Sequence, residues 1–128
     1  MSYVAGKQIV HGDLGCRNVL VFRIDQSVPK KSLVKITDFG LARSLKRLSN
    51  FHNSSIIPIR YCALEILRND DQSSCSEKSD VYSMGVLMWE ALSNGEIPYS
   101  SISEDEKVKT KKLNQEKLER PHVCLDHL

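Results

Sequence analysis

From Ser79 onward the chain carries a helical period that most constrains its fold. Val81, Met84, Gly85, Met88 and Leu92 recur at helical spacing, and Leu87 and Trp89 add apolar surface on another side. Such a helix, running over about 79–93, should be largely buried, with Trp89 and the methionines in the core. Asn94-Gly95 stops it, because both residues suit the left-handed backbone of a helix C-terminus. Upstream the period changes. Val19-Leu20-Val21-Phe22 and Leu33-Val34-Lys35-Ile36 are short apolar runs on either side of a polar, Pro-containing stretch from Asp25 to Ser32, which reads as a hairpin with a long loop. Residues 1–10 read as the last turns of a helix and a short extended entry, 41–57 as a mobile loop, and 103–118 as a charged surface helix ending before Pro121. The expectation is a mainly α chain with a short β-hairpin, free of internal repeats.

At 128 residues, with 41% hydrophobic and 27% charged residues, this is the make-up of one globular domain. A net charge of +2 gives no long-range field, so no nucleic-acid partner is expected. Lys107, Lys109, Lys111 and Lys112 sit among the acids Glu104, Asp105, Glu106 and Glu116 and read as a solvated helix face. Cys16, Cys62, Cys75 and Cys124 form no C-x-x-C pair and have no histidine at zinc-ligand spacing, which favours reduced thiols in a cytoplasmic setting. The first residues carry no basic region followed by an apolar core, and no stretch is long enough to span a membrane, so neither secretion nor insertion is expected.

Phosphoryl transfer from ATP requires a carboxylate to orient the attacking hydroxyl, oxygen ligands for Mg2+, and a backbone that fixes both. His11-Gly12-Asp13-Leu14-Gly15-Cys16-Arg17-Asn18 has Asp and Asn at the spacing such a loop needs. The stretch resembles the kinase catalytic loop at His11, Asp13, Leu14 and Asn18, which implies that Asp13 would accept the substrate proton and Asn18 would bind a metal. After the hairpin, Asp38-Phe39-Gly40 places a second carboxylate at a strand end, with a glycine to turn the chain.

In this order and context the motifs resemble the protein kinase family. Pro58-Ile59-Arg60-Tyr61-Cys62-Ala63-Leu64-Glu65 looks like the end of an activation segment covering 38–65. Lys78-Ser79-Asp80-Val81-Tyr82-Ser83-Met84-Gly85-Val86-Leu87-Met88-Trp89-Glu90 is similar to the start of the family's central helix, and Ile97-Pro98-Tyr99 and Leu118-Glu119-Arg120-Pro121 resemble later landmarks. Arg17, four residues after Asp13, with Gly15 where serine/threonine kinases usually have Lys, resembles the tyrosine-kinase pattern, as does Pro58-Ile59-Arg60. The resemblance implies a partial kinase domain over 1–128, a truncated C-terminal lobe of the α+β kinase fold that binds ATP and Mg2+ in the complete domain and phosphorylates protein tyrosine. It further implies Asp13 as base, Arg17 beside the substrate, Asn18 and Asp38 on magnesium, and Leu20 under the adenine. His11 and Phe39 would stack in an internal spine, Gly40 would release the segment, Glu65 would pair with a late arginine beyond Leu128, and Asp80 would hold the catalytic loop by its backbone.

The chain also departs from the family. Gly12 replaces the arginine that normally pairs with a phosphorylated activation segment, residues 41–57 contain no tyrosine, and Leu64 replaces a proline. The Gly-rich phosphate loop and strand lysine are not found before His11, so the isolated chain is expected to be inactive. The stretch from Phe22 to Ser32 reads as a surface insertion. Simpler roles stand beside these: a structural His11, surface carboxylates at Asp13 and Asp38, and a capping charge at Asp80. The alternative function is a pseudokinase-like signalling or binding module.

Overall fold

A computed structural model describes residues 8–44, 57–70 and 74–121. Strand β1 (Ile9–Val10) pairs antiparallel with β4 (Arg43–Ser44), matching Ile9 to Ser44 and Val10 to Arg43. Strands β2 (Val19–Arg23) and β3 (Leu33–Ile36) form the expected hairpin, with a register shift between Val21 and Arg23. Its long connection is closed locally: Asp25 accepts from the amides of Ser27 and Val28, and Pro29–Lys31 makes a 3-10 turn. The pairing of β1 with β4 was not foreseen, since two-residue strands carry no periodic signal.

These sheets position two loops. The chain leaves β1, runs through residues 11–18 and enters β2; it returns on β3, passes Asp38-Phe39-Gly40 and reaches β4. Thr37 N–H donates to Asn18 O at 2.9 Å, so the loops are joined where both meet the hairpin.

Three helices follow among the described residues: α1 (Leu64–Asn69), α2 (Glu77–Leu92) and α3 (Asp105–Leu113). Helix α2 starts on a reciprocal Ser76–Ser79 capping box and ends as anticipated, with Asn94 and Gly95 at φ 56° and 79° and Gly95 N–H on Glu90 O. Its packing differs from the expectation. Val81 is 69% exposed and Met88 56%, Trp89 is half-buried, and the covered face carries Ser79, Asp80, Ser83, Val86 and Glu90. That face is polar because it holds loop backbone, whose N–H and C=O groups need partners that an apolar side chain cannot supply.

Cys62, Ile66 and Leu67 form an apolar cluster against which Ile57, Ile59, Cys75 and Leu113 pack, joining α1 to α3. Helix α3 is shorter than 103–118, because Asn114 caps it and Gln115 turns left-handed at φ 63°. Lys112 does not belong to a solvated face: it is 1% exposed, one turn after the fully buried Val108. The expected helical turns over residues 1–7 and most of the 41–57 loop lie outside the described residues. So does Cys124, while Cys16, Cys62 and Cys75 form no disulfide among the described residues. No helix among the described residues is long and apolar enough to cross a membrane.

Candidate functional site

Residues 11–18 hold their shape through buried carboxylates on α2. Asp80, 3% exposed, accepts from His11 N–H at 2.6 Å and Gly12 N–H at 3.0 Å. Receiving both donors puts Gly12 at φ +78°, and a Cβ there would stand 3.3 Å from Leu41 O, so this glycine is a backbone requirement. Farther along, Glu90 accepts from Cys16 N–H at 2.9 Å, and Leu14 between the two anchors is fully buried. His11 is buried too. Asp13 N–H donates to its Nδ1, leaving the proton on Nε2, which donates to Thr37 O at 2.9 Å. The Phe39 ring meets it edge-on at 4.7 Å.

Within this frame Asp13 gathers the polar groups. Arg17 pairs with its carboxylate, and Asn18 Nδ2 donates to its carbonyl at 2.7 Å and its carboxylate at 3.1 Å. Asp38 stands at φ 58°, ψ 71°, sparsely populated for a residue with a side chain, and accepts from Gly40 N–H at 3.2 Å. Asp13, Arg17 and Asp38 supply one stretch of wall of an open cleft of about 630 Å³, and Pro58, Arg60 and Tyr61 supply a second.

The second wall is fastened to both neighbours. Tyr61 O accepts from Ser83, its hydroxyl donates to Glu90 at 3.1 Å, and its ring lies under the Arg17 guanidinium at 4.5 Å. Gly15 leaves the space for that stack, since a Cβ there would lie 2.8 Å from Arg17 and 3.1 Å from the Tyr61 ring. Burial and then the Glu90 carboxylate push the Tyr61 hydroxyl up to about 12 and the Cys16 thiol up to about 11, so both stay protonated donors. Arg60 donates to the carbonyls of Pro98, Tyr99, Ile102 and Ser103 and pairs with Asp105 at 2.8 Å.

Of the residues singled out in the sequence, His11, Asp13, Arg17, Asn18, Asp38, Phe39 and Asp80 converge on this site. Leu20 sits on the exposed hairpin, 48% exposed and outside the cleft lining, and Glu65 is exposed on α1 with no ion-pair partner among the described residues. Leu64 occupies the first helical position of α1, where proline is favoured generally. Asn18 spends its amide N–H on Asp13 and keeps its oxygen, and Asp38 is a carboxylate; two oxygen donors on adjoining loops fit Mg2+, which also retains waters. Glu90, Tyr61 and Lys112 escaped the sequence reading. The spacing of Val108 and Lys112, four apart on one helix face, was the signal for the last.

Residues 1–128 match the family described as "Protein tyrosine and serine/threonine kinase". The epidermal growth factor receptor of Drosophila melanogaster is 41% identical over 97% of this chain and 8% of its own length. The Ack-related non-receptor tyrosine kinase of Caenorhabditis elegans is 38% identical over 97% of the chain and 11% of its own, and tyrosine-protein kinase csk-1 of the same organism 42% over 80% and 17%. The chain therefore spans a small part of each of these relatives. With a family match along its full length and tyrosine kinases among the relatives it matches over nearly all of its residues, the chain belongs to the protein tyrosine and serine/threonine kinases, on their tyrosine-kinase side.

Proposed function

We propose that this chain is the C-terminal-lobe part of a catalytic domain, and that the whole protein transfers the γ-phosphoryl group of ATP to protein tyrosine. The carrying observation is the meeting of Arg17 and Asn18 on the Asp13 carboxylate, in an open cleft that Pro58–Tyr61 also line. Asp13 orients the tyrosine hydroxyl and takes its proton as the new O–P bond forms; the bond from the γ-phosphorus to the bridging oxygen breaks, and ADP leaves. Arg17, held over the Tyr61 ring, presents its remaining N–H groups to the acceptor and the transferring group. Asn18 and Asp38 would hold Mg2+, which when bound neutralises charge on the phosphates. The 3.2 Å bond from Gly40 N–H fixes the Asp38 carboxylate for that task. Pro58, Ile59 and Arg60 form the wall on which the acceptor peptide docks.

The whole protein, incubated with Mg-ATP and a tyrosine-containing polymer, should yield phosphotyrosine. Phosphate on serine or threonine alone would overturn the tyrosine assignment. No transfer by a correctly folded protein that binds a tyrosine peptide would favour the pseudokinase reading.

A further inference from the structure

Lys112 is the most deeply buried charged side chain among the described residues, at 1% exposure. Its ammonium donates to Ile59 O at 2.8 Å and Cys62 O at 2.7 Å, lies 5.2 Å from the centre of the Tyr82 ring, and has no carboxylate in ion-pair range among the described residues. Burying a cation this way is costly unless its hydrogen bonds are needed. Burial indeed lowers its pKa to about 8. The two carbonyls belong to the same short segment as Arg60, whose guanidinium runs the other way, into the carbonyls that precede α3. The wall and the α3 region thus exchange cations, one in each direction. Shape alone would be met by a leucine at 112, which would leave Ile59 O and Cys62 O unpaired.

We infer that Lys112 is a positioning residue for acceptor-peptide docking: from α3 it fixes the backbone of the wall that faces Asp13, and so governs peptide affinity and not the phosphoryl-transfer step. The inference rests on the kinase reading above for its kinetic half. Its structural half is independent of that reading.

Both halves are tested on the whole protein with Lys112→Leu, and with the unbranched Lys112→Met should the first fail to fold. KM for a tyrosine peptide should rise at least fivefold, while kcat and KM for ATP stay within twofold. Hydrogen exchange at the amides of Tyr61 and Cys62, both bonded to Pro58 O, should accelerate at least tenfold, with Ser93 and Gly95 at the end of α2 unchanged. Lys112→Arg, which keeps a cation and its donors, should recover most of the peptide KM. An unchanged peptide KM, a parallel loss in kcat and both KM values, or acceleration at all amides alike would overturn the inference. If the unsubstituted protein transfers no phosphate, the kinase reading fails instead, and the exchange measurement still decides what Lys112 holds.

Discussion

The two walls of the cleft are fixed by opposite charges. The loop at residues 11–18 is gripped by anions: Asp80 and Glu90 reach from α2 and accept from the N–H groups of His11, Gly12 and Cys16. The wall at 58–62 is gripped mainly by cations: Lys112 donates to its carbonyls, and its own Arg60 donates to carbonyls beyond. The polarity follows from which backbone group faces the anchor. A loop with its N–H groups turned toward α2 can be held only by acceptors, and a segment with its C=O groups turned toward α3 only by donors. Glu90 also takes the Tyr61 hydroxyl, so one carboxylate spans both walls.

The largest loss is expected at Asp80. Asp80→Ala leaves one buried and one partly buried N–H group without an acceptor, and denaturant unfolding should show a loss of roughly 2–4 kcal/mol. Asp80→Asn, which retains one acceptor oxygen, should cost about half of that. A cost below about 1 kcal/mol for alanine would mean that the loop holds itself.

The cationic side is probed by pH. The folded pKa of Lys112 lies below its ordinary value, so between about 8 and 10.5 the unfolded chain binds a proton that the folded chain has released, and this group's contribution to stability rises with pH. Cys62, at about 11, and Tyr82, at about 12, are raised by burial and act in the opposite sense, stability being lost as pH climbs above their ordinary values. Glu65 faces Tyr82 and Cys62 from α1 as a further titratable neighbour. The difference between the unsubstituted protein and Lys112→Leu isolates the lysine, and should move in favour of the lysine by about 2 kcal/mol between pH 7 and 9.5. A difference independent of pH would contradict the buried cation.

Gly12→Ala sharpens the anionic side without touching an anchor. The left-handed backbone and the Leu41 carbonyl together should cost about 1–2 kcal/mol by the same unfolding measurement. No cost would show that the loop relaxes away from φ +78°. The smallest effect concerns regulation. Glycine at 12 offers no guanidinium to a phosphorylated activation segment, so phosphatase treatment should leave the initial rate at saturating ATP nearly unchanged. A tenfold loss, equal to about 1.4 kcal/mol of barrier, would contradict it.

Much of this was legible in the sequence, for a physical reason. Asp80 holds loop backbone, Asn18 bonds to Asp13, and Asp38 lies on the adjoining loop, all in short stretches where residue type and spacing carry the signal. The hairpin and the Asn94-Gly95 stop were legible because period and left-handed turns leave local marks. The buried face of α2 was misread. An apolar stripe predicts burial against apolar partners, whereas the face that is covered meets backbone, and Val81 and Met88 stand exposed. Lys112 was misread for the converse reason: a lysine among lysines looks solvated until its carbonyl partners, some fifty residues away in the chain, are in place.

The most direct test of the account is the initial rate of phosphate transfer to a tyrosine peptide by the whole protein and by its Asp13→Asn variant, with the fold of each checked by thermal melting. Asparagine can keep the contacts to Arg17 and Asn18 in part but cannot take the hydroxyl proton. The rate should fall at least about a hundredfold at an unchanged melting temperature. Equal rates in the two proteins would contradict it.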